Sequence, residues 1–237
     1  MSRVEQAAEN SGRVVTLVAV SKAQGVEAIR EAHAAGQHHF AENYVQEALE
    51  KMQQLNDLPV EWHFIGPLQS NKTRAVAESF AWVQSVDREK IACRLSESRP
   101  AALPPLNVCL QVNISGEATK SGVPRFEAEH LAHAVAALPR LRLRGLMTIA
   151  QPGLSEPETR AQFRALHELF EDLKEKDYAI DTLSMGMTQD LELAIAEGST
   201  MVRVGTAIFG ERPGSSGSAA TPQAASPALA ANRRRVS

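Results

Sequence analysis

The chain has 237 residues, a formal net charge of −3, 43% hydrophobic residues and 5% aromatic residues. That length suits one large α/β domain with a core of Val, Ile, Leu and Ala. The charge offers no basic field for nucleic acid, and Cys93 and Cys109 have neither a disulfide framework nor metal spacing. With no apolar stretch of membrane-spanning length and no leader-like segment, the chain is expected to be soluble and cytoplasmic.

Strand-like and helix-like runs alternate from Val14 to Gly210. Val14 to Ser21 is β-branched and apolar, reads as a buried parallel strand, and ends at Lys22. A helix is predicted over Gly25 to Ala35, a short strand over Gln37 to Ala41 ending at Glu42-Asn43, and a helix from Tyr44 to Leu55. Glu61 to Ile65 is the third strand, closed by Gly66-Pro67, and Asn71 to Phe80 the third helix. Ala81 to Val86 is the fourth strand, followed by a helix to Ser98 with Asp87 as N-cap. Leu106 to Asn113 is the fifth strand; a glycine-bearing loop, Ser115 to Pro124, leads to a helix over Phe126 to Leu138. Leu143 to Ala150, Ile180 to Met185 and Met201 to Gly205 complete eight strands, with helices over Glu158 to Lys176 and Gln189 to Glu197 between them. Eight strands separated by helices point to a (β/α)8 TIM barrel. A doubly wound open sheet is the alternative, because the second and fourth runs are weak. Residues 213–237 are Gly, Ser, Ala and Pro followed by Arg233-Arg234-Arg235, a composition expected to be disordered. The expected division is therefore a barrel over 1–212 and a tail over 213–237.

A barrel's reactive groups sit in the loops after its strands. Lys22 occupies such a position, where a partly desolvated amine can become a nucleophile toward an aldehyde. Ser184-Met185-Gly186-Met187-Thr188 and Gly205-Thr206 follow strands seven and eight, where small residues let backbone N–H groups approach a phosphate. Arg203 lies among residues that should be buried, so it needs a carboxylate such as Glu42 or a ligand. His130 and His133 share a helix face without a third ligand, and His38 and His39 point to opposite faces of their strand. His63 reads as a core histidine. No metal site is expected.

The chain resembles the pyridoxal phosphate homeostasis proteins, single-barrel relatives of the alanine racemase amino-terminal domain (the fold type III of pyridoxal phosphate proteins). The stretches that carry the resemblance are Leu17–Lys22, Ala41–Glu47, Trp62–Lys72, Arg144–Met147, Leu183–Met187 and Val202–Gly210. The resemblance implies pyridoxal 5′-phosphate as cofactor and Lys22 as its Schiff-base lysine. It further implies Arg203 beside the pyridine nitrogen, Asn43 near the ring hydroxyl and Met147 along the ring. Ser184, Gly186, Thr188, Gly205 and Thr206 would form the phosphate cradle, and Lys120 would assist cofactor exchange. Ala23-Gln24-Gly25, Thr188, Ala41 and a short first helix depart from the family pattern; the last could loosen packing over the barrel base. The implied function is to hold the cofactor and supply it to apo-enzymes, as a monomer that binds neither nucleic acid nor membrane. The alternative is an amino-acid racemase. Such barrels carry a second domain with a catalytic tyrosine, whereas here the tyrosines are Tyr44 and Tyr178. A third reading, an interaction module with a vestigial pocket, predicts no cofactor binding.

Overall fold

The structure, a computed structural model, describes residues 3–117 and 121–210. Lys120 and the whole of 213–237 lie outside the described residues, so the expectations placed on them carry no structural account here.

Helix α1 (Arg3–Ser11) precedes the barrel. Then follow β1 (Thr16–Val20), α2 (Val26–Ala34), β2 (His39–Glu42), α3 (Val45–Gln54), β3 (Glu61–Phe64), α4 (Thr73–Ser79) and β4 (Trp82–Val86). The second half runs α5 (Glu89–Ser98), β5 (Leu106–Asn113), the two-residue β6 (Val123–Pro124), α6 (Ala128–Ala136), β7 (Leu141–Met147) and α7 (Glu156–Glu175). It ends with β8 (Thr182–Ser184), α8 (Leu191–Ala196), β9 (Met201–Val204) and the single turn α9 (Thr206–Phe209).

All pairings are parallel. β1 bonds both β2 and β9, and β4 bonds β5, so eight strands close into a ring with β6 lying along the end of β5. Closure excludes the open-sheet alternative. The period of two along each strand divides the side chains between two cores. Val18, Ala41, Trp82, Cys109, Met147 and Met201 fill the barrel. Their sequence neighbours Ala19, Phe40, Val83, Val108 and Leu146 pack outward beneath the helices.

Several predicted ends move where hydrogen bonding, not hydropathy, sets the boundary. Val14 is 92% exposed, and β1 begins at Thr16, whose N–H bonds Thr200 O at 2.9 Å. Asp87 is not the N-cap of α5: Arg88 holds that place and pairs with Asp87. The third predicted helix divides into a 3-10 turn (Ser70–Lys72) and α4, and the fifth begins with a 3-10 turn (Arg125–Glu127). β8 is short because Ile180 N–H bonds Tyr178 O locally, and α8 starts late because the Asp190 carboxylate accepts Met187 N–H at 2.6 Å. The short α1 docks on the barrel's flank, where Val4 packs with Leu191, Ile195 and Val202. Arg3 secures it through Glu192 at 2.6 and 2.7 Å.

Candidate functional site

A cavity of about 560 Å³ opens at the carboxyl ends of the strands, within the size range of small-molecule sites. It occupies one sector of the mouth, bounded by the turn after β1, residues 150–154 after β7, the loop after β8 and the start of α9. Five predicted residues line it: Lys22, Thr188, Arg203, Gly205 and Thr206.

Lys22 stands two residues beyond β1 in a turn held from three sides. Ser21 Oγ donates to Glu42 Oε1 at 2.7 Å, Ala23 N–H donates to Glu47 Oε1 at 2.6 Å, and Lys51 Nζ donates to Ser21 O at 2.7 Å. Lys51 also bonds Glu42 (2.8 Å) and Glu47 (2.7 Å), which makes a buried ion cluster beneath the turn. Burial pushes the Glu42 carboxyl above its ordinary value, against the lowering effect of its bonds from Lys51 and Ser21. Ala23 takes a left-handed φ of 60°, which turns the chain sharply away from the strand just past Lys22.

Arg203 enters from β9, and its parity with Gly205 brings both to the cavity. Its Nη1 donates to Ser184 Oγ at 2.6 Å and its Nη2 to Thr148 O at 2.7 Å. Among the described residues no carboxylate bonds it; Glu42, offered as a partner, is engaged by Lys51 and Ser21. Burial therefore pushes the guanidinium down to about 10, only partly countered by the charge of Asp190. It remains cationic at neutral pH and faces the cavity.

Four predicted residues do not line the cavity. Met147 is fully buried inside the barrel, below the mouth. Ser184 is fully buried and acts through Arg203 instead. Gly186 has φ +99°, and a Cβ there would lie 2.6 Å from Ala194 Cβ, so its glycine serves the close packing of α8. Asn43 sits at the end of β2, where its backbone would be 2.1 Å from a Cβ on Gly66, and its buried Oδ1 has no partner. That orphaned oxygen is a polar group awaiting a donor.

The sequence pattern did not reveal a polar chain along the barrel axis. Ser184 Oγ donates to Gln84 Oε1 at 2.7 Å, and Gln84 Nε2 lies 2.9 Å from His63 Nδ1. His63 Nε2 in turn lies 3.2 Å from His39 Nδ1. His63 is the core histidine expected of it: burial, with the nearby His39, holds it well below its ordinary value and therefore neutral.

Fold and site together define a parallel barrel that presents an amine and a buried arginine at one mouth. Residues 1–213 match the sequence profile of the alanine racemase amino-terminal domain. Alanine racemase from Corynebacterium glutamicum shares the fold, with TM-score 0.66 at 21% identity over 91% of this chain and 62% of that one. The pyridoxal phosphate homeostasis protein of Pseudomonas aeruginosa is 59% identical, covering 89% of this chain and 92% of its own. That of Escherichia coli (strain K12) is 54% identical with the same coverage. PipY of Synechococcus elongatus, solved with PLP bound, is 40% identical with TM-score 0.75 over 87% of this chain and 99% of its own. The chain belongs to the pyridoxal phosphate homeostasis protein family.

Proposed function

We propose that this chain binds pyridoxal 5′-phosphate at the barrel mouth, holds it as a Schiff base on Lys22, and takes part in supplying it to apo-enzymes in the cytoplasm. The observation that carries this reading is one cavity lined by Lys22, by an arginine that no carboxylate bonds among the described residues, and by the small residues Gly205 and Thr206. The residues fit the group. Arg203 would take the pyridine nitrogen, and Thr188, Gly205 and Thr206 would hold the phosphate. Asn43 Oδ1, buried and unpaired, lies outside the cavity lining and would accept from the ring hydroxyl only if the ligand reached the end of β2. The bound group supplies an aldehyde that condenses with an amine and a phosphate that anchors it.

The turn holds the backbone that carries Lys22, since Ser21, Glu42, Glu47 and Lys51 are bonded to one another and to the turn's backbone. Arg203 stays charged at neutral pH and disfavours a proton on the pyridine nitrogen. That weakens the ring as an electron sink without forbidding racemisation; the names of the relatives point to holding. No appreciable racemase activity and a monomeric state are the corresponding expectations.

The test is the visible absorbance of the purified chain with added cofactor, before and after borohydride, for wild type and Lys22→Ala. The expected result is a band that borohydride removes in wild type and that Lys22→Ala lacks. A band that persists in Lys22→Ala would overturn the assignment of the lysine, and no band in either would leave an interaction module.

A further inference from the structure

At the opposite end of the barrel, His39 and Glu61 are the first residues of β2 and β3 and are paired in register. His63 follows Glu61 by two, so all three side chains share the strands' inner face. His39 Nδ1 lies 3.2 Å from His63 Nε2 and 3.7 Å from Glu61 Oε1. One ligand atom from each residue falls within 4.8 Å of the other two. A cavity of about 370 Å³ opens onto His39 and Glu61, with Trp82, Arg144 and Asp181 among its walls.

Two of the three ligands, Glu61 and His63, are held by neighbours outside the set. The Trp82 indole N–H donates to Glu61 Oε1, and its ring stacks on His63 at 5.2 Å with a 13° tilt. Gln84 bonds the far nitrogen of His63. Arg144, 4.6 Å above the Trp82 ring, is paired with Asp181 at 2.8 and 2.9 Å, which offsets its charge toward an incoming cation. Such outer contacts orient ligands in metal sites.

We propose that the base of this barrel binds a divalent transition ion of the Zn²⁺ class through His39 Nδ1, His63 Nε2 and a Glu61 carboxylate oxygen. Two imidazoles and one carboxylate select such ions over Ca²⁺ or Mg²⁺, which take oxygen sets. An ion ~2.1 Å from His39 Nδ1 and from either partner atom would see the 3.2 and 3.7 Å pairs at roughly 100° and 124°, on either side of the tetrahedral angle. Glu61, at the half-exposed rim, closes on the ion as the third ligand. Gln84 Nε2 donates to His63 Nδ1, so the proton between the rings is on His63 Nε2. On ion binding it moves to Nδ1 and the Gln84 amide turns its oxygen to accept it, so each imidazole stays neutral. The basal cavity leaves room for water in the fourth position. This site is separate from the mouth, and its test does not involve the cofactor.

The full chain is titrated with Zn²⁺ by calorimetry and with Co²⁺ by visible absorbance, alongside His39→Ala, Glu61→Gln and His130→Ala. One equivalent should bind, with ligand-field bands typical of low-coordinate Co²⁺. His39→Ala and Glu61→Gln should each remove those bands and weaken Zn²⁺ binding by at least ~100-fold, more than a lost outer contact costs. Both variants should keep the wild-type far-ultraviolet circular dichroism. The two substitutions act independently, so if one variant fails to fold the other still decides the matter. His130→Ala should change nothing. The proposal is overturned by absence of saturable binding, by binding that survives both substitutions, or by a thiolate charge-transfer band, which would give the ion to a cysteine.

Discussion

Lys51 and Lys22 approach the same turn, but their surroundings assign them different work. Lys51 Nζ donates to Ser21 O, Glu42 and Glu47, so its ammonium is held by three acceptors. Lys51→Met would leave the Glu42 carboxylate buried without its cation, a loss of about 3–5 kcal/mol at neutral pH. The pH dependence has a definite sign. Glu42 already titrates above its unfolded value, and removing Lys51 raises it further. Stability tied to a raised carboxyl is present below the unfolded value of 4.5 and is lost as pH rises through the folded value. The penalty of Lys51→Met should therefore be larger at pH 8 than at pH 5, read from urea midpoints. Cys109 makes a second prediction at this scale. Burial pushes its thiol up to about 12, so a thiol reagent at neutral pH should leave it unmodified until the chain unfolds. Cys93, which is partly exposed, should react first.

Among the elements, alternating hydropathy made the strands and helices legible, because a parallel strand buried on both faces is an unbroken apolar run. Ends fixed by one polar bond were not legible, as the Asp87 and Ile180 boundaries show. Nor was strand register. His39, Glu61 and His63 become neighbours through the β2–β3 pairing, which nothing within either strand encodes. Arg203 was legible as an anomaly, a charge inside an apolar strand; Gln84, its counterpart in β4, was not, because nothing in the pattern set it apart. Close approaches between elements were equally hidden. A Cβ on Gly145 in β7 would lie 1.8 Å from Thr182 O in β8. Gly145→Ala should therefore force these strands apart and lower the thermal midpoint far more than a surface Gly153→Ala, although both residues have positive φ.

For the molecule as a whole, the described residues that line the mouth run from Val20 to Gly210. A chain truncated after Arg212 should therefore keep the borohydride-sensitive band and its Lys22 dependence; loss of the band would assign residues 213–237 a part in binding. Barrels of this type place chemistry at the carboxyl face and stability at the amino face. In this one a line of polar contacts joins the two faces. His39, His63, Gln84, Ser184 and Arg203 form a continuous chain of polar contacts from the base to the mouth. Within it Gln84 takes the single bond of each half. By the logic of thermodynamic linkage, an occupant that changes the donor–acceptor sense at one end changes the free energy of occupying the other by the same amount. Substitutions at His39 and Arg203, placed on opposite faces of the barrel, should fail to add, and Gln84→Leu should restore their additivity.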